Sequence, residues 1–208
     1  MVGSGLINPL VSAVSNSMHK YIVLLASLAL SVLAYGEDIS HNPSVTLAGE
    51  TLYLANVEAG PGVVLNEYIR KGETFDNWKV LFAVRYVQTA SSVDAVVQRW
   101  KAYLGQVVSP GMSYREADGS KATDRRYILS IRPPGDAYCE NDVLRFIPGP
   151  GGRGVIYYQA AVRVDPKDST DIMKGLMKET ELGAALNSLT LQPVDKMPDP
   201  AQGKTSKG

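Results

Sequence analysis

The chain predicts an α+β fold, a mostly antiparallel sheet of about six strands flanked by two main helices. Three observations carry this. Short β-prone runs come in pairs parted by Gly- and Asp-rich turns, which marks hairpins and hence antiparallel pairing. The run Val80 to Val87 is apolar almost throughout, as a strand covered on both faces has to be. Two segments switch to a 3.6-residue apolar period, and such amphipathic helices must lie on a sheet face.

The elements follow in order. Glu37 to Pro43 reads as a loose leader. Ser44 to Ala48 and Thr51 to Ala55 are short strands parted by Gly49. Gly60-Pro61-Gly62 is a turn, Val63 to Ile69 the next strand, and Arg70-Lys71-Gly72 its end. Thr74 to Trp78 forms a helical turn or tight loop, followed by the central strand Val80 to Val87. Ser91 precedes Asp94 by three residues, as in a capping box. Val93, Val96, Val97, Trp100, Tyr103 and Leu104 then share one helical face, and Gly105 is the expected stop. Met112 to Glu116 pairs with Arg126 to Ile131, and Asp142 to Ile147 with Val155 to Val164. Asp168 to Asp171 caps a second helix with Ile172, Met173, Leu176 and Met177 on one face, and Glu181 to Leu189 adds a turn beside it. The tail 193–208 is Pro-, Gly- and Lys-rich and is expected to be disordered.

The order strands, helix, hairpins, helix is similar to that of the PsbP-like α/β/α sandwich. Asn66-Glu67-Tyr68-Ile69, then Glu73-Thr74-Phe75-Asp76-Asn77-Trp78, then an apolar strand also resembles small secreted bacterial proteins of unassigned function. The motif resemblance covers Val63 to about Leu104, and element order alone covers the rest. It implies an accessory or binding module and carries over no catalytic residue.

The front of the chain points to the envelope. Residues 18–36 read as a secretory signal peptide: Met18-His19-Lys20, an uncharged run from Tyr21 to Ala34, and small residues at Ala34 and Gly36 before Glu37-Asp38. Residues 1–17 carry no charge and read as a non-native or misassigned extension, with Met18 as the start. The alternative is an uncleaved anchor, and membrane association is expected only in that case. The apolar run is shorter than the roughly 20 residues of a spanning helix. No Cys near the cleavage site could take a lipid. The expected location is periplasmic or secreted, with one domain at 37–192.

Composition excludes several chemistries. The 208-residue chain has 21 basic and 21 acidic residues, so nothing favours nucleic acid as a partner. Cys139 is the only cysteine, either buried or open to an intermolecular bridge, and the mature segment has a single histidine, His41. That set cannot assemble a zinc site or a His-based nucleophile, and no cofactor motif is present. The Gly149 to Gly154 run leads into a strand, whereas a phosphate loop leads into a helix.

Two candidate sites remain. Glu67, Glu73 and Asp76, with Tyr68 and Trp78, are either a carboxylate pair for glycan hydrolysis or a capped turn with Trp78 in the core. Tyr127, Arg132, Arg145, Arg153, Tyr157 and Tyr158 form the best candidate binding set, since Tyr and Arg are favoured at interface centres. Arg125, Arg126 and Arg163 belong to the same β half. Its arginines are either a site for an anion or a solvated face interspersed with Glu140, Asp142 and Asp165. The function expected is a non-enzymatic accessory or binding protein whose partner is an envelope protein or small ligand. The alternatives are a carboxylate-based glycan hydrolase and a carrier of a small apolar or anionic ligand held between sheet and helix.

Overall fold

The computed structural model describes residues 38–107, 111–133 and 137–198. Residues 1–36, with the signal and extension readings, and the end of the tail, 199–208, lie outside the described residues.

The strands are β1 (Ser44–Leu47), β2 (Glu50–Gly60), β3 (Val63–Ile69), β4 (Val80–Val87), β5 (Met112–Glu116), β6 (Arg125–Ile131), β7 (Cys139–Pro148) and β8 (Val155–Val164). Helix α1 (Val93–Val107) follows β4, and helix α2 (Ser169–Leu186) follows β8. All eight strands form one antiparallel sheet in the order β1-β2-β3-β4-β8-β7-β6-β5. The sheet is therefore larger than the six strands expected, because every β-prone run finds a neighbour. The chain makes two four-stranded meanders, and β4 meets β8 where they join.

Alternation sorts the side chains onto two faces. On the first, Phe82 and Val84 of β4, Tyr158, Ala160 and Val162 of β8, and Val143 of β7 pack against Leu182 and Leu186 of α2. On the second, Trp100 of α1 lies on Tyr127 and Phe146, with ring centroids 5.1 and 5.7 Å away. Phe146 in turn stacks on Tyr157 at 5.0 Å. Beside them Leu65, Ile69, Leu81, Ala83 and Ala161 lie under Trp78, with Phe75 and Ile39 packed alongside. The molecule is a three-layer helix–sheet–helix arrangement, and β4 is the two-sided strand its apolarity demands.

Several local expectations change. The leader is anchored: Ile39–His41 is a 3-10 turn capped by Asp38, and the Asn42 Nδ2 amide donates to the Leu54 carbonyl at 2.7 Å. Gly105 lies inside α1, which runs to Val107. α2 is continuous through Leu186, with the Asp168 carboxylate accepting from the Thr170 and Asp171 amides as anticipated. Its buried residues, however, are Gly175, Leu182 and Leu186, while Met173, Leu176 and Met177 are exposed. The segment after α2 also stays bound beyond Pro193. The Tyr158 hydroxyl donates to the Leu191 carbonyl, and the buried Asn66 amide both donates to and accepts from the Val194 backbone at 2.7 Å.

Gly175 explains the helix's orientation. A methyl group there would run into Val164 Cγ1 of β8, so the missing side chain lets α2 settle on the sheet. Helix propensity alone favours Ala over Gly by about 1 kcal/mol. Overpacking costs about 1–3 kcal/mol, and Val is stiff about χ1. Gly175→Ala is therefore expected to destabilise by up to about 2 kcal/mol in denaturant titrations, and the double variant with Val164→Ala to lose less than the sum of the two single changes.

Candidate functional site

Two places concentrate charge on this scaffold. The first is a cleft of about 240 Å³ between α2 and the β5–β7 end of the sheet. Its floor is apolar, from Ile128, Val143, Leu186 and Gly183, and Arg115, Arg126 and Arg145 stand around it with the acids Asp118 and Glu179. Burial raises the Glu179 carboxyl above its ordinary range, against the pull of Arg115. Two other clefts are larger. One, of about 510 Å³ beside β1, has no ionisable side chain in its lining. The other, of about 410 Å³, has Arg132 and Cys139 as its reactive or charged groups.

The three arginines of the first cleft are held differently. Arg145 is committed to structure: its Nη1 donates to the Leu186 and Leu189 carbonyls at 2.6 and 3.3 Å, where α2 ends with unpaired carbonyls. Its Nε and Nη2 donate to Asp124 at 3.0 and 3.2 Å. Arg126 binds the same carboxylate through Nε and Nη2. Burial pushes the Asp124 carboxyl up, but these two guanidinium groups outweigh that and hold it below its ordinary range. Arg115 is exposed. Arg115 and the outer edge of Arg126 are thus the cations available to a ligand.

The second place is a row of ionisable groups on the α1 face. Glu140 and Asp142 of β7 share this face with Gln159 and Arg163 of β8, Arg85 of β4 and Glu67 of β3. Arg163 Nε donates to Glu140 Oε2 at 3.0 Å, and its guanidinium lies 3.8 Å from the Trp78 ring centroid and 4.2 Å from that of Tyr138. Arg85 Nη1 donates to Gln159 Oε1 at 2.8 Å. Asp142 is fully buried beside Gln159, whose side-chain oxygen accepts from Arg85. Burial and the neighbouring Glu140 raise its pKa well above the ordinary aspartate value, with Gln159, Arg85 and Arg163 pulling the other way. Burial raises Glu140 as well, opposed by its ion pair with Arg163. Of the pair, Asp142 is held further above its ordinary value, because Glu140 has the cation in contact.

The candidate binding set does not form one surface. Tyr127 and Tyr157 are buried on the α1 face, and Tyr158 is buried on the α2 face. Their rings fill the two cores, as large aromatic side chains do wherever both sides of a sheet are covered. Arg132 donates from Nε to Cys139 Sγ at 3.3 Å beyond the end of β6. Arg153 is exposed at the β7–β8 turn, where its carbonyl accepts from the Tyr86 hydroxyl. Arg145 alone of the six lines the 240 Å³ cleft. The Gly149 to Gly154 run is that same turn.

The acidic set also stays apart. Glu67 is buried in the sheet and accepts from Asn56 Nδ2 at 2.9 Å. Glu73 is half-buried and faces Arg70 at 3.7 Å, and Asp76 is exposed. Burial raises both Glu67 and Glu73. The Thr74 to Trp78 segment is a capped turn: the Thr74 amide donates to Asn77 Oδ1, the Asp76 amide to Thr74 Oγ1, and Trp78 is in the core. Among the described residues, no group of three or more His, Cys, Asp and Glu residues is arranged to hold a metal ion.

Sequence reasoning passed over Arg115 and Glu179 and took Glu140 and Asp142 as surface charges. The available signal was register. Glu140 and Asp142 are two residues apart in a strand, so they share a face, and that strand is paired with the apolar β8.

Residues 39–191 match the profile of an uncharacterised protein family. The chain belongs to that family. No curated protein and no solved structure matches, so the PsbP-like resemblance finds no counterpart in these comparisons.

The folded pKa of Asp142 lies above its unfolded value, so the stability it contributes is full below the ordinary aspartate range and is lost as pH rises through the folded pKa. Asp142→Asn is expected to melt higher than the parent at pH 8, with the difference shrinking toward pH 4. A melting series across that range checks it, and a lower melting point for the variant at pH 8 contradicts it. Arg145→Ala leaves the Asp124 carboxylate to Arg126 alone and removes a donor from the Leu186 and Leu189 carbonyls. It is expected to cost about 1–3 kcal/mol in denaturant titrations, with Arg145→Lys recovering only part.

Proposed function

We propose that this protein is a non-enzymatic binding protein of the cell envelope, and that it holds a small carboxylate-bearing amphipathic ligand in the cleft between α2 and the β5–β7 strands. The observation that carries the reading is the combination of an apolar floor with a cationic rim. Ile128, Val143 and Leu186 would cover a short hydrocarbon or ring, and Arg115 and Arg126 would meet its carboxylate. Glu179 stands on the opposite wall, where burial raises its carboxyl above the ordinary range against the pull of Arg115.

Size supports a small ligand. The cleft is below the roughly 300–1,000 Å³ of sites for drug-sized molecules. The envelope location rests on the Met18 to Gly36 segment. The acidic residues Glu67, Glu73 and Asp76 do not converge on a cleft with each other, so binding is favoured over glycan hydrolysis.

The test is a thermal-shift screen of short-chain and aromatic carboxylates, together with native mass spectrometry of protein purified from the envelope. The expected result is a retained or stabilising carboxylate whose effect falls about tenfold in Arg115→Ala and in the cleft-filling variant Gly183→Leu. A native mass equal to the bare chain, with no carboxylate shifting the melting temperature, would end this reading.

A further inference from the structure

α2 shows water the wrong kind of face. Met173, Leu176 and Met177 are 60, 46 and 61% exposed, and exposed Thr180 and Ala184 continue the same stripe. A helix turns about 100° per residue, so this stripe lies opposite Gly175, Leu182 and Leu186, the residues pressed on the sheet. The outward side of a sheet-covering helix is ordinarily charged. An apolar, methionine-rich stripe there has the composition of a contact surface.

The charges beside the stripe say what covers it. Lys174 and Glu181 are both exposed and seven residues apart, so they stand two turns from each other on one flank. Glu181 is already paired with Lys178 of its own helix at 2.9 Å, which orients it along that flank. Consider two α2 helices packed antiparallel about a two-fold axis at the level between Met177 and Lys178. Lys174 of each copy then comes level with Glu181 of the other, so the operation forms two opposite-charge contacts and no like-charge one. The same operation brings the Met177 side chains together at the axis, with Met173, Leu176 and Thr180 around them.

We propose that the outward face of α2 binds a second copy of this chain as an antiparallel, two-fold symmetric helix pair. Such an interface is self-complementary, as a two-fold axis requires. It does not rest on the ligand cleft reading: of its residues only Thr180 also lines that cleft, and Lys174, Met177 and Glu181 do not.

Disulfide trapping of the full chain tests the geometry. In a Cys139→Ser background, Met177→Cys places two thiols across the axis at about the 4–7 Å Cα separation a disulfide needs. Ala184→Cys places them about 20 Å apart along the axis. Mild oxidation is expected to give covalent dimer from Met177→Cys and monomer from Ala184→Cys. Sedimentation of the chain with Cys139 intact provides a second readout. Lys174→Glu and Glu181→Lys are each expected to weaken self-association about tenfold, and the double variant to restore it. The proposal is overturned if Met177→Cys stays monomeric, if Ala184→Cys cross-links equally, if the double variant associates no better than the single ones, or if Met177→Cys is captured by a different protein instead of its own copy.

Discussion

β4 and β8 pair along eight residues, from Val80 opposite Val162 to Val87 opposite Val155, and the two meanders have no other strand pairing between them. Both strands are covered on both sides, so Phe82, Val84 and Tyr158 face α2 while Leu81, Ala83 and Ala161 face the opposite layer. The rest of the molecule depends on this seam. It brings Val143 and Val164 to where α2 can pack, and it sets Arg85 and Gln159 side by side on the other face. The ligand cleft is likewise an outcome of where the seam puts α2. The helix sits over β7 and β8, and the outer strands β5 and β6 extend past it to form the open wall.

Building a face around paired charges has a physical cost that the structure meets unevenly. Arg163 is well provided for, with a carboxylate on one side and the faces of Trp78 and Tyr138 around its guanidinium. Asp142, two residues from Glu140, has Arg85 and Arg163 near enough to act through space but not in hydrogen-bonding position. The desolvation penalty of a buried anion, together with the neighbouring Glu140, is what raises its pKa. α2 shows the opposite case, since its acidic start at Asp168 and Asp171 and its guanidinium end at Arg145 match the helix dipole at both termini.

Much of this architecture is legible in the residues. All eight strands correspond to β-prone runs, because hairpin turns and alternation are local signals. The apolar stripe of α1 and the Asp168 cap of α2 are local as well. The extent of the sheet is not, since only pairing in space shows that the meanders fuse. The burial of α2 is illegible for a related reason. Glycine adds nothing to an apolar pattern, yet Gly175 fixes which side of the helix touches Val164. Met173 and Met177 look like core residues to any hydropathy argument and are on the surface. The cleft is hidden more deeply still, because Arg115, Arg126 and Glu179 come from three elements that no spacing rule connects.

The seam also bears on how the chain reaches this state. Within each meander, neighbouring strands are joined by short turns or loops, so their contacts close small loops at low entropic cost. β4 and β8 are separated by the whole of α1, β5, β6 and β7, and their pairing closes by far the longest loop in the sheet. The halves can form first as separate units that expose unpaired strand edges at β4 and β8. Until those edges meet, each half offers a template for the corresponding strand of another molecule. The junction that unifies the finished protein is therefore also the point at which an unfinished one is most open to exchanging a half with its neighbour.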